Sequence, residues 1–105
     1  MSKREAKKIA QQYAQVLKKH HIQFSDMYLF GSYANGNPLL ESDIDIALVV
    51  NRVRSRKDYM DTKMRLWEIA LEVDSRIEPI LLEKKDFGKD ATTMAYQIQK
   101  TGIRI

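Results

Sequence analysis

Asp43 and Asp45 are the residues best suited to chemistry by type and spacing. They open the run Asp43-Ile44-Asp45-Ile46-Ala47-Leu48-Val49-Val50, whose β-branched, nearly continuous apolar character describes a strand buried on both faces. Residues two apart on a strand share a face, so both carboxylates project to one side and Ile44 and Ile46 to the other. Adjacent carboxylates repel and are costly to desolvate, and a cation between them relieves both effects. Mg²⁺ is a hard ion that seeks oxygen ligands. Two such ions ~3.5–4 Å apart stabilise the attacking and the leaving oxygen of an in-line displacement at phosphorus. Taken alone, two aspartates at this spacing read better as solvated side chains at a strand start, where turns favour Asp.

Gly31-Ser32 changes that balance. It follows an apolar run, Phe24 to Phe30, and precedes Tyr33-Ala34-Asn35-Gly36-Asn37-Pro38, which carries turn chemistry. A glycine here lets backbone approach a ligand closely, and free N–H groups at the start of a short helix attract phosphate. The whole segment, GSYANGNPLLESDIDIALVV, resembles the signature of the DNA polymerase β-type nucleotidyltransferases: Gly-Ser, about ten residues, then Asp-x-Asp on the next strand. The short form without accessory domains is the minimal nucleotidyltransferase (MNT) family.

The resemblance implies a set of roles. Gly31 and Ser32 would grip the β- and γ-phosphates of ATP or another nucleoside triphosphate, and Tyr33 could stack on the base. Asp43 and Asp45 would bind two Mg²⁺ ions. The family uses a third carboxylate on a neighbouring strand, and Glu78, centred in the apolar run RIEPILL, fits it. Glu72, Asp74 and Glu83 flank that run. Glu78 would ligate the metal beside the acceptor and help to deprotonate its hydroxyl. A nucleoside monophosphate is then transferred and pyrophosphate leaves. Many relatives carry a basic residue in the turn where this chain has Asn35. MNT proteins resemble the antitoxin half of toxin–antitoxin pairs whose other half is an all-helical HEPN-type RNase. The acceptor so implied is a tyrosine of that partner.

The elements that must position these residues follow from periodicity. Ser2 and Glu5 have capping-box spacing, and Ala6, Ile9, Ala10, Tyr13, Val16 and Leu17 recur at helical period. Lys18, Lys19 and His20 suit a helix C-terminus, and no metal-ligand spacing surrounds His20 and His21. The period returns from Asp58 to Val73, with Met60, Met64, Trp67, Ala70 and Leu71 as the expected inner stripe. Arg76 to Leu82 reads as a third strand, which Pro79 confines to an edge or a bulge. Asp90 can cap a last helix that turns Ala91, Met94, Ala95 and Ile98 inward, with Gly102 as its C′ residue. The expected fold class is α/β (α+β): a small mixed three-stranded sheet flanked by about four helices, all in one domain, 1–105.

The 105 residues are 44% hydrophobic and 30% charged, the balance of a globular chain, and zero cysteines exclude disulfides and thiolate metal sites. No apolar run reaches the ~18 residues of a membrane span, and the basic N-terminus has no signal-peptide core, so the cytoplasm is the expected compartment. A net charge of +4 suits a polyanionic partner but is mild for a dedicated nucleic-acid binder. Two other readings stand beside the enzyme: a catalytically weak module that neutralises a helical partner by contact, and a basic RNA- or DNA-binding domain. The Arg52–Lys57 segment is read as a triphosphate or RNA contact or as a solvated loop. Exposed helix faces leave room for a homo-oligomer.

Overall fold

The seven residues Ile44–Val50 form the strand from which the other elements take their places. The computed structural model describes residues 2–31, 34 and 43–105. In order along the chain, the elements are α1 (Lys3–Lys19), β1 (Asp26–Phe30), β2 (Ile44–Val50), α2 (Arg56–Val73), β3 (Ile77–Glu83), a 3₁₀ turn (Lys84–Asp86), α3 (Thr93–Thr101) and β4 (Ile103–Arg104). The sheet order is β3-β2-β1-β4. β2 pairs antiparallel with β1 and parallel with β3, the latter reached through α2. A parallel neighbour requires such a crossover, because a tight turn can only reverse the chain.

Strand alternation divides the sheet into two faces. Ile44, Ile46, Leu48 and Val50 join Met27, Leu29, Ile77 and Leu81 in one core cluster, covered by Ala6, Ala10, Tyr13 and Leu17 of α1 and by Leu66, Ile69 and Ala70 of α2. The small residues Ala6 and Ala10 are fully buried, which lets α1 lie close to what it covers. Tyr13 is buried as well, and its hydroxyl donates to Leu66 O at 2.7 Å, tying α1 to α2. Ala47, Val49, Ala95 and Ile98 are buried outside this cluster.

Local signals set most of the helix ends. Ser2 Oγ accepts from the Glu5 N–H at 3.1 Å, and Ser55 Oγ accepts from the Asp58 N–H at 3.1 Å. The last helix departs from expectation: Thr92, not Asp90, caps it, accepting from the Ala95 N–H at 3.2 Å. Starting there, α3 buries Ala95 and Ile98 but leaves Met94 52% exposed. Gly102 is the C-cap, with extended backbone at φ −72°, rather than a left-handed C′ residue. A fourth strand was not expected. Two residues are too few to show a period, and β4 exists because Ile103 and Arg104 pair with Leu29 and Tyr28.

The larger correction concerns α2. Of the expected inner stripe only Ala70 is buried; Met60, Met64, Trp67 and Leu71 are 47%, 59%, 41% and 69% exposed. Leu66 and Ile69 take their place, with Tyr59 and Val73 partly buried beside them. The helix carries two apolar stripes, and period alone does not say which one faces the sheet. Pro79 lies on β3, an edge strand, as its missing N–H requires.

The end of α1 is a Schellman motif. The Ile22 N–H donates to Leu17 O and the His21 N–H to Lys18 O, both at 3.0 Å. This puts His21 at φ +60°, a conformation that glycine adopts without strain. His21→Gly is therefore expected to stabilise the fold by about 0.5–1 kcal/mol, read as a rise in the midpoint of urea unfolding at unchanged m-value. An unchanged or lowered midpoint would mean that the imidazole makes a compensating contact.

Candidate active site

Three adjacent strands bring the candidate residues together. In the sheet register Asp45 stands opposite Phe30 on one side and Glu78 on the other, and Gly31 follows Phe30 directly. Asp43 immediately precedes β2, where the Ile44 N–H donates to Arg76 O at 2.8 Å and anchors the strand's entry. Because Ile44, Ile46 and Ile77 point into the helix-covered core, Asp43, Asp45 and Glu78 project from the opposite face. Asp43 and Glu78 are exposed, and Asp45 is half-buried.

The electrostatics are those of crowded like charges. Burial pushes the Asp45 carboxyl above the ordinary carboxylate range, and the charge of Asp43 adds to the effect. Glu78 is raised too, first by desolvation, then by the charge of Asp43 and a hydrogen bond with its carboxyl, and last by the charge of Asp45. Among the described residues, no three acidic or histidine side chains already close to ligand distance around one point. The three carboxyls interact in pairs instead, and each would be relieved by a cation. Their chemistry, oxygen donors with unneutralised charge on one exposed face, fits Mg²⁺.

The other acids near Glu78 in sequence are engaged elsewhere. Asp74 forms a two-pronged ion pair with Arg76, at 2.7 and 2.9 Å, which holds its carboxyl below the usual range. Glu72 meets His20 Nε2 at 3.3 Å. Glu83 is 9% exposed; its Oε1 accepts from the Val53 N–H at 2.6 Å, and its other oxygen pairs with Lys85. Glu78 is thus the one of the four beside Asp45.

Gly31 has a second reason to be glycine. Its φ is +76°, and a Cβ placed on it would collide with Asp45 Oδ2 and come within 3.2 Å of Asp45 Cγ. The absent side chain is what leaves Asp45 room for its carboxylate. Ser32, Tyr33 and Asn35, and with them the expected phosphate grip and base stack, lie outside the described residues.

Two cavities flank the sheet at opposite ends. Beside Gly31 an apolar pocket of about 490 Å³ is lined by Phe30, Gly31, Thr93, Met94, Gln97, Ile98 and Thr101. Sequence reasoning missed the α3 part of this wall, for which spacing gave no signal beyond the misplaced Met94. The basic segment is at the far end. Arg52 and Arg54 line a groove of about 1010 Å³ with Lys18 and His21, next to Val50. The seven-residue strand separates them from Asp43 by roughly 20 Å, too far to hold the triphosphate of a nucleotide reacting at Asp43.

A family model described as "Polymerase beta, Nucleotidyltransferase" matches residues 11–105. Solved structures share the fold. A Sulfolobus solfataricus protein described as a candidate nucleotidyltransferase aligns with a TM-score of 0.66 at 21% identity, over 99% of this chain and 86% of that one. A chain of a toxin–antitoxin complex with AMP-PNP gives 0.60 at 23% identity, over 90% and 70%. A chain of the complex between tri-AMPylated Shewanella oneidensis HEPN toxin and MNT antitoxin gives 0.56 at 20% identity, over 94% and 70%. A search of curated protein sequences gives no significant match.

Two outcomes test the geometry. A carboxyl whose pKa is raised on folding favours the fold below its unfolded value and loses that advantage as pH rises through its folded value. Charged Asp45 therefore opposes folding of the metal-free protein at neutral pH. Asp45→Asn should raise Tm by roughly 2–5 °C at pH 7, with the gain fading as pH falls through the raised folded value and gone below the ordinary aspartate range. Mg²⁺ should raise Tm of the wild type but hardly that of the variant; a variant less stable at pH 7 would show that the charge is already neutralised. Gly31→Ala should destabilise by about 1–2 kcal/mol and lower transfer by ~10²-fold, because both the backbone and Asp45 must move. Wild-type rates in that variant would dissociate Gly31 from the site.

Proposed function

The chain belongs to the polymerase beta nucleotidyltransferase family, and from that premise we propose that it transfers AMP from ATP to a tyrosine hydroxyl of a HEPN-type helical partner, as the antitoxin of a toxin–antitoxin pair. The observation that carries the reading is the convergence of Asp43, Asp45 and Glu78 on one exposed face, with Gly31 kept open against Asp45. A nucleotide-modified protein partner is supported by what the similar structures contain, a tri-AMPylated HEPN toxin and a complex with AMP-PNP; the tyrosine acceptor and the helical partner are what the family resemblance implies. A chemistry that draws on the cellular triphosphate pool belongs in the cytoplasm. We take residues 1–105 as one domain, since the described elements share one sheet.

Asp43 and Asp45 would hold two Mg²⁺ ions, and Glu78 would share the one nearer the acceptor. When bound, the ions supply charge that offsets the developing oxyanions and lowers the pKa of a coordinated hydroxyl. Glu78 accepts the acceptor's proton, for which its raised affinity for protons is suited. The tyrosine oxygen forms a bond to the α-phosphorus, the bond to the bridging oxygen breaks, and pyrophosphate leaves with that electron pair. Gly31 and Ser32 orient the β- and γ-phosphates through backbone N–H groups and the hydroxyl. The apolar pocket beside Gly31 offers a wall for a flat ring, with Thr93, Gln97 and Thr101 as polar side chains on its lining.

The test is incubation with ATP labelled at the α-phosphate, with Mg²⁺ and a HEPN-type helical protein, co-purified or encoded next to this chain where one is found. Label is expected on a tyrosine of that protein, to be abolished by chelator and reduced at least ~10³-fold by Asp43→Ala or Asp45→Ala. Glu78→Gln should slow transfer by ~10²-fold with ATP affinity nearly unchanged. Label on RNA would reassign the acceptor. Absence of both label and pyrophosphate release would leave a fold kept for binding.

A further inference from the structure

The exposed stripe on α2 has an order that a solvated helix face does not need. Met60, Met64, Trp67 and Leu71 follow one another at spacings of four, three and four. That is the d-a-d-a pattern of a coiled-coil seam. Among the described residues the stripe is left 41–69% exposed. Ile69 and Leu66 point the other way into the core, and α1 meets α2 through Arg65, Leu66 and Glu72, none of them in the stripe.

The charges beside the stripe say what covers it. With Met64 and Leu71 at a, Arg56 and Lys63 fall at g, and Asp61 and Glu68 at e. All four are exposed, and none makes an ion pair among the described residues. In a parallel pair of helices each g residue faces the e residue five positions further along its partner. Arg56 then meets Asp61 and Lys63 meets Glu68 of the other copy, and two-fold symmetry makes each pair occur twice. An antiparallel pair would set basic against basic and acidic against acidic. The complementarity is thus one that the helix has with itself, and in one orientation.

We propose that this face is the seam of a homodimer, in which α2 packs in parallel against α2 of a second copy about a two-fold axis. The carboxylates lie on the opposite face of the sheet, so both sites of the dimer stay open. The proposal does not depend on the catalytic reading.

Sedimentation velocity over roughly 1–500 µM, the range suited to an interface at the small end of stable complexes, should show a monomer–dimer equilibrium. Trp67→Glu, or Leu71→Glu at the most exposed position, should weaken it at least ~30-fold while the circular dichroism melt and nucleotide transfer stay unchanged. Lys63→Glu alone should weaken it ~3–10-fold, and adding Glu68→Lys should restore it. Orientation is read separately, since the chain has no cysteine. In a parallel dimer Met60→Cys and Leu71→Cys each cross-link to themselves under mild oxidation. An antiparallel dimer would cross-link only the two variants mixed, because the positions lie about 16 Å apart along the helix. A monomer at every concentration, a dimer indifferent to Trp67→Glu, failure of the charge swap to rescue, or mixed cross-links alone would each overturn the proposal. So would a helical partner that binds through Trp67 while the free chain remains monomeric.

Discussion

The repulsion among Asp43, Asp45 and Glu78 is the interaction around which the sheet is arranged. Left free, carboxylates drift apart into water, where each is best solvated. Here Asp45 and Glu78 are held in register by the β2–β3 ladder, and Asp43 is held by the backbone bond that fixes the strand's entry. The restoring force comes from the other face. Ile44, Ile46 and Ile77, all at 1% exposure or less, alternate with the acids and cannot move without opening the core. The apolar face thus keeps the charged face in place, and the proton affinities of Asp45 and Glu78 are raised first by desolvation and then by the charges beside them.

Gly31 extends this constraint to the third strand. Its missing side chain gives Asp45 its space, and its left-handed backbone follows the end of β1 directly. The acids that do not belong to the site are drawn away by partners of their own: Arg76 for Asp74, His20 for Glu72, the Val53 N–H and Lys85 for Glu83. Negative charge is concentrated by pairing the neighbouring acids as much as by gathering Asp43, Asp45 and Glu78.

The parts that were legible in the sequence are those where one physical signal decides. Strand alternation put Asp43 and Asp45 on one face, an acid in an apolar edge strand marked Glu78, and Pro79 restricted β3 to the edge it occupies. The parts that were not legible are those where two signals compete. Asp90 and Thr92 both suit a helix cap, and the helix starts at the second. Along α2 two apolar stripes lie on one helix, and the one with the larger side chains, Trp67 and the methionines, is the one left outside. β4 depends on pairing with β1, a contact across most of the chain that no local pattern announces.

Pro79 has an effect beyond its own strand. The free margin of β3 is the natural place for a foreign extended segment to add itself to the sheet, the first step of most β-rich aggregation. A proline in the middle of a seven-residue strand removes a donor from the short row that such a segment would need, and the charged Glu78 beside it must be desolvated as well. Growth of the sheet from molecule to molecule is thereby discouraged. At high concentration, or while newly made chains are still crowded together, this margin works as a stopper against fibres.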